Sequence, residues 1–178
     1  MTALHGPDVL ADPLVRELLA ARLVGVLATL EPDGGVHAVA VWLAEHDGAI
    51  VFATYAGSRK VRNLERDSRA SLALHDSRAG SEVCGASIRG RATIVRGVDA
   101  APLIELVHRR YVTEPGLALP AVAGFLAGDD VALVLEVESA TTWDERENPA
   151  TAVLRASGEA LPLVPTSPRE SIAGGDSG

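Results

Sequence analysis

The apolar and polar positions along the 178-residue chain change period several times, and each change marks an element. Asp12-Pro13 offers a helix cap and a first-turn proline, and Val15, Leu18 and Leu19 then recur at helical spacing up to Arg22. An apolar run over 23–30 is stopped by Glu31-Pro32-Asp33-Gly34-Gly35, which is turn chemistry. A second run over 36–44 ends at Glu45-His46-Asp47-Gly48, and a third covers 49–55, so the spacing predicts a three-strand meander of two hairpins. Helical spacing returns over 58–67, with Val61 and Leu64 inward and Arg59, Arg62, Glu65 and Arg66 outward. The remainder reads as a strand over 69–74, a loop over 76–81 and a long bent strand over 82–96. Gly85 and Gly90 mark bulges or close approaches in that bent strand. A helix over 100–111 and a loop with a short helix over 113–128 follow. A last strand over 130–142 alternates on Val131, Leu133, Leu135 and Val137.

The strands carry apolar residues on both faces. In 36–44 one face is Val36, Ala38, Ala40 and Trp42, and the other is His37, Val39, Val41 and Leu43. A sheet with one wet face would alternate, so the pattern predicts a sheet closed into a small barrel. A helix or a second subunit then covers its outer face, and a homodimer is expected. From about Asn148 the prolines at 149, 162, 165 and 168 and the Gly-Gly-Asp-Ser-Gly ending leave little periodic apolar surface. The expected organisation is one domain over 8–147 and a flexible tail over 148–178.

Composition narrows the function. A net charge of −8 argues against nucleic acid or an anionic membrane as partner. A single cysteine, Cys84, excludes an intramolecular disulfide and a cysteine-based zinc site. No apolar run reaches the about 18 residues a membrane span needs, and the acidic N-terminus does not read as a signal peptide, so a cytoplasmic protein is expected. His5, His37, His46, His75 and His108 form no pair at metal-ligand spacing, and His108 reads as a helix-surface residue. No nucleophile elbow, P-loop or dinucleotide fingerprint is present. A chain without such motifs often takes its chemistry from a cofactor.

Of 16 basic residues only Lys60 is a lysine, and it lies in Ser58-Arg59-Lys60-Val61-Arg62-Asn63-Leu64. Ser58 can cap the helix it opens, and Arg59 and Lys60 put cations where a helix dipole prefers acids. Over 58–69 there are five cations against two acids in an otherwise acidic chain. A phosphate or other polyanion held at the helix N-terminus explains the arrangement, and a solvated helix face is the plainer alternative.

The order of elements, with "AIVFATYAGSRKVRNLERDSRASLAL" and "VCGASIRGRATIVRG" behind the first meander, resembles the pyridoxamine-5′-phosphate-oxidase-like split-barrel flavoproteins. The likeness spans about Asp8 to Asp144 and is greatest to their deazaflavin (F420)-dependent oxidoreductase branch. It implies a mainly β fold with flanking helices, an FMN-binding type of split β-barrel, paired as a homodimer with cofactor clefts at the subunit interface. It places the phosphate grip on Ser58, Arg59 and Lys60, with Arg62 extending the basic strip. Ala53, Thr54 and Tyr55 fall along the phosphate–ribityl portion, and the strand from Val39 through Val41 to Trp42 lies against the ring system. The arginine and lysine that assist the flavin in pyridoxamine phosphate oxidases correspond to His37 and Trp42, and a cofactor-facing glutamine corresponds to about Gly85. The C-terminal W-R-x-G substrate motif gives way to Thr142-Trp143-Asp144-Glu145-Arg146, which argues against vitamin B6 oxidation.

The activity so implied is transfer of a hydride from reduced F420 to an electron-poor small molecule. Solvent, Tyr55 or His37 would provide the accompanying proton, and Trp42 and Trp143 are candidates to wall the pocket. The catalytic side chain is left open, as is the substrate. An FMN-dependent oxidoreductase of the same fold and a non-catalytic flavin- or deazaflavin-binding protein are the alternatives.

Overall fold

The structure is a computed structural model and describes residues 1–77, 83–126 and 128–159. In chain order it runs β1 (Thr2–His5), α1 (Asp8–Ala11), α2 (Pro13–Ala20), β2 (Gly25–Leu30), β3 (Val36–Val41), β4 (Leu43–His46), β5 (Ala49–Tyr55) and α3 (Arg59–Arg66). Next come β6 (Arg69–Asp76), β7 (Cys84–Val95), α4 (Ala101–Tyr111), α5 (Glu114–Leu117), α6 (Pro120–Leu126), β8 (Asp130–Asp144) and α7 (Pro149–Ser157).

The antiparallel sheet has the order β3-β2-β6-β7-β8-β5-β4, and β1 adds to β8. The two ends of that path, β3 and β4, are separated in the chain by Trp42 alone. The sheet is therefore joined end to end by one residue, which gives the split barrel with flanking helices that the pattern of doubly apolar strands predicts. Sequence reading made 36–44 one strand. The break at Trp42 corrects it: β3 pairs with β2, whereas β4 pairs with β5. The β4–β5 connection is the two-residue loop Asp47-Gly48, both at positive φ (49° and 76°), the conformation a tight hairpin needs.

Inside the barrel Leu27, Ile50, Phe52, Leu72, Ile88, Leu133 and Leu135 are fully buried. Each such side chain contributes about 1.5–3 kcal/mol. Outside, α4 lies on β4, β5 and β8, where Ala100 and Val107 pack with Ala44, Val51 and Ala132. That accounts for the two apolar faces of β5: Ile50 and Phe52 point inward and Val51 lies beneath α4. The outer face of β3 is not covered in the same way, and Val36 is 65% exposed. Both glycines singled out in the long strand sit at close approaches. At Gly90 the register against β8 shifts, and a Cβ would stand 2.0 Å from the Glu136 carbonyl oxygen.

β1, α1 and α6 were not separately expected. The stretch from Asn148, expected as tail, opens with α7. Its start and stop signals are local: Asn148 Oδ1 accepts from the Ala150 N–H at 2.9 Å, Pro149 takes the first turn, and Gly158 closes the helix at φ 72°. Residues 160–178 lie outside the described ones, as does most of the loop expected at 76–81.

Candidate functional site

Helix α3 is built to hold its N-terminus still. Val61 and Leu64 bury into the barrel end, and Asn63, 3% exposed, donates from Nδ2 to the Thr29 hydroxyl of β2 at 3.1 Å. Ser58 stands at the cap position with extended backbone, but its hydroxyl makes no capping bond. Its Oγ is buried and has no hydrogen-bond partner among the described residues, so the first-turn N–H groups lack the acceptor a serine there normally supplies. Two residues on, Lys60 is half-buried. Desolvation draws its ammonium below the ordinary lysine range, and the carboxylate of Asp130 pulls the other way. Among the described residues Lys60 forms no ion pair. A buried unpartnered hydroxyl, a helix N-terminus and a half-buried ammonium within one turn are the donor set of an anion site.

These groups open onto a cleft of about 430 Å³ between the ends of β3 and β5. Ala40, Val41 and Trp42 form one wall, Ala53, Thr54 and Tyr55 another, and Ser58, Lys60, His108 and Asp130 complete it. Asp130 is present because β8 pairs Asp130 with Tyr55. The first wall is held by Tyr111 of α4, whose hydroxyl donates to the Leu23 carbonyl at 2.7 Å and accepts from the Leu43 N–H at 3.3 Å. The Tyr111 ring stacks on Trp42, with centroids 4.8 Å apart and planes 7° from parallel. His108 lies edge-on to Trp42, with ring centroids 6.1 Å apart. It is 8% exposed, and its Nδ1 has no hydrogen-bond partner among the described residues.

Of the ten residues expected at a cofactor, Val41, Trp42, Ala53, Thr54, Tyr55, Ser58 and Lys60 line this cleft. Val39, Arg59 and Arg62 do not. Val39 packs toward the barrel core, Arg59 pairs with Glu31 at 3.3 Å, and Arg62 donates to the Gly57 carbonyl. The basic strip is thus shorter in space than in sequence. Trp143 is also elsewhere, against Gly85, where a Cβ would stand 2.3 Å from its ring. That contact leaves no room for a side chain at Gly85. His37 lies on β3 with a buried, unpartnered Nδ1 but outside the cleft lining.

His108 corrects the reading of it as a surface residue, and Tyr111 and Asp130 were not singled out at all. A signal existed: Ala100, Leu103, Ile104, Val107, His108 and Tyr111 follow one helical stripe, which the neighbouring arginines obscure.

Among the described residues no group of three or more His, Cys, Asp or Glu side chains could hold a metal ion. No described helix is long and apolar enough to cross a membrane. A separate groove of about 580 Å³ lies on the barrel's outer face, lined by Ala28, Val36, Ser71, Arg89 and Ser139 among others, and it shares no residue with the cleft.

Fold and cleft together define a split-barrel protein with a polar-ended cleft beside the residue that joins the ends of its sheet. The chain belongs to the pyridoxamine 5′-phosphate oxidase family, whose N-terminal-domain model matches residues 11–144. Among solved structures it is similar to a conserved hypothetical protein of Mycobacterium tuberculosis, at 28% identity and TM-score 0.64, over 88% of this chain and 92% of that one. It is similar to an F420 reductase at 26% identity and TM-score 0.55, over 71% and 94%. A heme binding protein from Mycobacterium smegmatis shares the fold at 23% identity and TM-score 0.55, over 74% and 57%. No curated protein matches the sequence.

Proposed function

We propose that the protein is an F420-dependent oxidoreductase acting on an electron-poor small molecule. The observation that carries this is the buried, unpartnered Ser58 hydroxyl beside Lys60 at the N-terminus of α3. Those groups would take the phosphate of the coenzyme, and the small residues Ala40, Val41, Ala53 and Thr54 would admit the remainder against Trp42. When bound, a reduced deazaflavin supplies the hydride. The chain's part is to anchor, orient and exclude water. His108, buried beside Trp42, joins Tyr55 as a group able to hold a proton at the cleft. The similarity to an F420 reductase supports this reading.

FMN is the second reading, and a specific observation favours it. Arg59 and Arg62 are engaged elsewhere, so the cradle of Ser58 and Lys60 suits one phosphate as well as a longer polyanion. Titrating apo-protein with each cofactor at two salt concentrations separates the two. Micromolar, salt-sensitive F420 binding with FMN much weaker supports the first, and tight FMN binding alone supports the second. Turnover of reduced cofactor with a panel of acceptors distinguishes an enzyme from a carrier.

The same reading includes a homodimer. The exposed outer face of β2 and β3, with Val26 and Val36 at 38% and 65% exposure and Val24 just before β2 at 52%, would be the contact between copies. Light scattering should return twice the 18.5 kDa chain mass, and Val36→Asp should return the single mass. A monomeric parent protein would refute this part.

A further inference from the structure

A carboxylate is an unexpected neighbour for a phosphate, yet Asp130 lines the same cleft as Ser58 and Lys60. Lys60 comes from the first turn of α3, and Asp130 is the first residue of β8, paired with Tyr55. A lysine and a charged carboxylate cancel, which leaves the N-terminus of α3 as a positive end equivalent to about half a charge. Arg59 and Arg62, which would restore an excess of cations, are engaged by Glu31 and the Gly57 carbonyl. Around Asp130, Lys60 acts from α3, His108 from α4 and Asp129 from the adjoining position. Glu105, Arg109 and Glu114 lie on its other side, where Arg109 is engaged by both glutamates. Burial holds the Asp130 carboxyl above its ordinary value of 3.8, while His108 and Lys60 draw it down.

We propose that Asp130 is a specificity-determining residue, setting the cleft for a phosphodiester with one negative charge over a phosphomonoester with two. This rests on the reading of the cleft as a cofactor-phosphate site. A diester carries a single charge, whereas a monoester, with a second pKa of about 6, carries close to two above neutrality. Attraction to the site grows in proportion to ligand charge, but the cost of stripping water from the phosphate grows with its square. A site of low net positive charge therefore favours the singly charged form. F420 holds its phosphate as a diester and FMN as a monoester, so one carboxylate biases the cleft between the two cofactors.

The probes are FMN and its methyl phosphodiester, riboflavin 5′-(methyl phosphate), which share one ring and differ by one charge. Both are titrated by flavin fluorescence at about pH 8 into the wild-type apo-protein, Asp130→Asn and Asp130→Ser, with a melting curve for each protein. Repulsion scales with ligand charge, so removing the carboxylate should strengthen the diester about threefold and FMN by the square of that, about tenfold. Both variants should show that ratio. The diester itself does not titrate between about pH 8 and pH 5. Its affinity for the wild type should rise as pH falls and Asp130 takes up a proton, and rise less in Asp130→Asn. Any contribution of His108 is common to the two proteins. Equal gains for the two probes, no gain in either variant, or identical pH profiles would overturn the proposal. So would the absence of saturable binding of both probes up to about 1 mM. An unchanged ratio, with binding still lost in Lys60→Met, removes the role of Asp130 and keeps the phosphate site. The expected ratio, with no turnover of reduced F420 or FMN by any acceptor, keeps the role of Asp130 and removes the oxidoreductase reading.

Discussion

Replacing Lys60 with methionine keeps an unbranched side chain of nearly the same reach and removes the ammonium with its charge and donors, so it separates the cost of holding that group from its use. In the folded protein desolvation lowers the Lys60 pKa. The unfolded chain thus holds this proton more tightly than the folded one, and the charge opposes folding at neutral pH. Lys60's contribution rises with pH as the side chain neutralises, through the window below the ordinary lysine value of 10.5. Lys60→Met should therefore show an unchanged or slightly raised melting temperature at neutral pH, and a flatter stability profile on the alkaline side. Binding should move in the opposite direction. One charge-assisted hydrogen bond to a phosphate is worth about 1.5–3 kcal/mol, a loss of about 10- to 150-fold in affinity. Fluorescence titration of F420 and of FMN, beside a melting curve for each variant, tests both halves. Unchanged cofactor affinity would place the anion site elsewhere. A melting temperature lowered by several degrees would show that Lys60 is a structural residue.

Asn63→Leu should destabilise the protein by about 1–3 kcal/mol in urea denaturation, because it leaves the buried Thr29 hydroxyl without its donor, and Thr29→Val in the same chain should recover part of the loss. Gly90→Ala should cost about 1–3 kcal/mol or prevent folding, since the added carbon meets the Glu136 backbone and no side chain can yield; wild-type stability would refute the close approach. Asp67, bonded through its carboxylate to Arg69 at 2.6 Å, should titrate at about 2 by carbon NMR, and Arg69→Gln should return it toward 3.8. The stabilisation that pair confers is present above 3.8 and lost as pH falls through 2, so the substitution should also flatten the acid limb of the unfolding curve.

Local chemistry made much of the fold legible. The Asp12-Pro13 cap, the Asp47-Gly48 turn and the glycines at 85 and 90 each do in space what their residue types require. The helix opened by Ser58 also forms where expected, although the serine hydroxyl does not cap it, and Ser58 and Lys60 face one cleft. What escaped depends on partners distant in the chain. Nothing near Trp42 announces a strand break, because the phenol that holds it comes from Tyr111 and is tied to Leu23. Arg59 and Arg62 read as part of one basic strip until Glu31 and the Gly57 carbonyl take them out of it. His108 was misplaced for a simpler reason, since its helical register was outweighed by the charges beside it. Asn148, Pro149 and Gly158 are ordinary helix signals that a count of prolines concealed.

The residue joining the two ends of the sheet is also a wall of the cleft, and this ties occupancy to unfolding. A ligand resting on Trp42 sits on the clasp of the barrel, so separating β3 from β4 means first releasing the ligand. Its binding energy then opposes barrel opening, by about 2.7 kcal/mol at a hundredfold excess over Kd. That protection would be read in the slowed deuterium uptake of the Leu43 amide, which the Tyr111 hydroxyl already shields. Opening the barrel at Trp42 would therefore take a wall of the cleft with it.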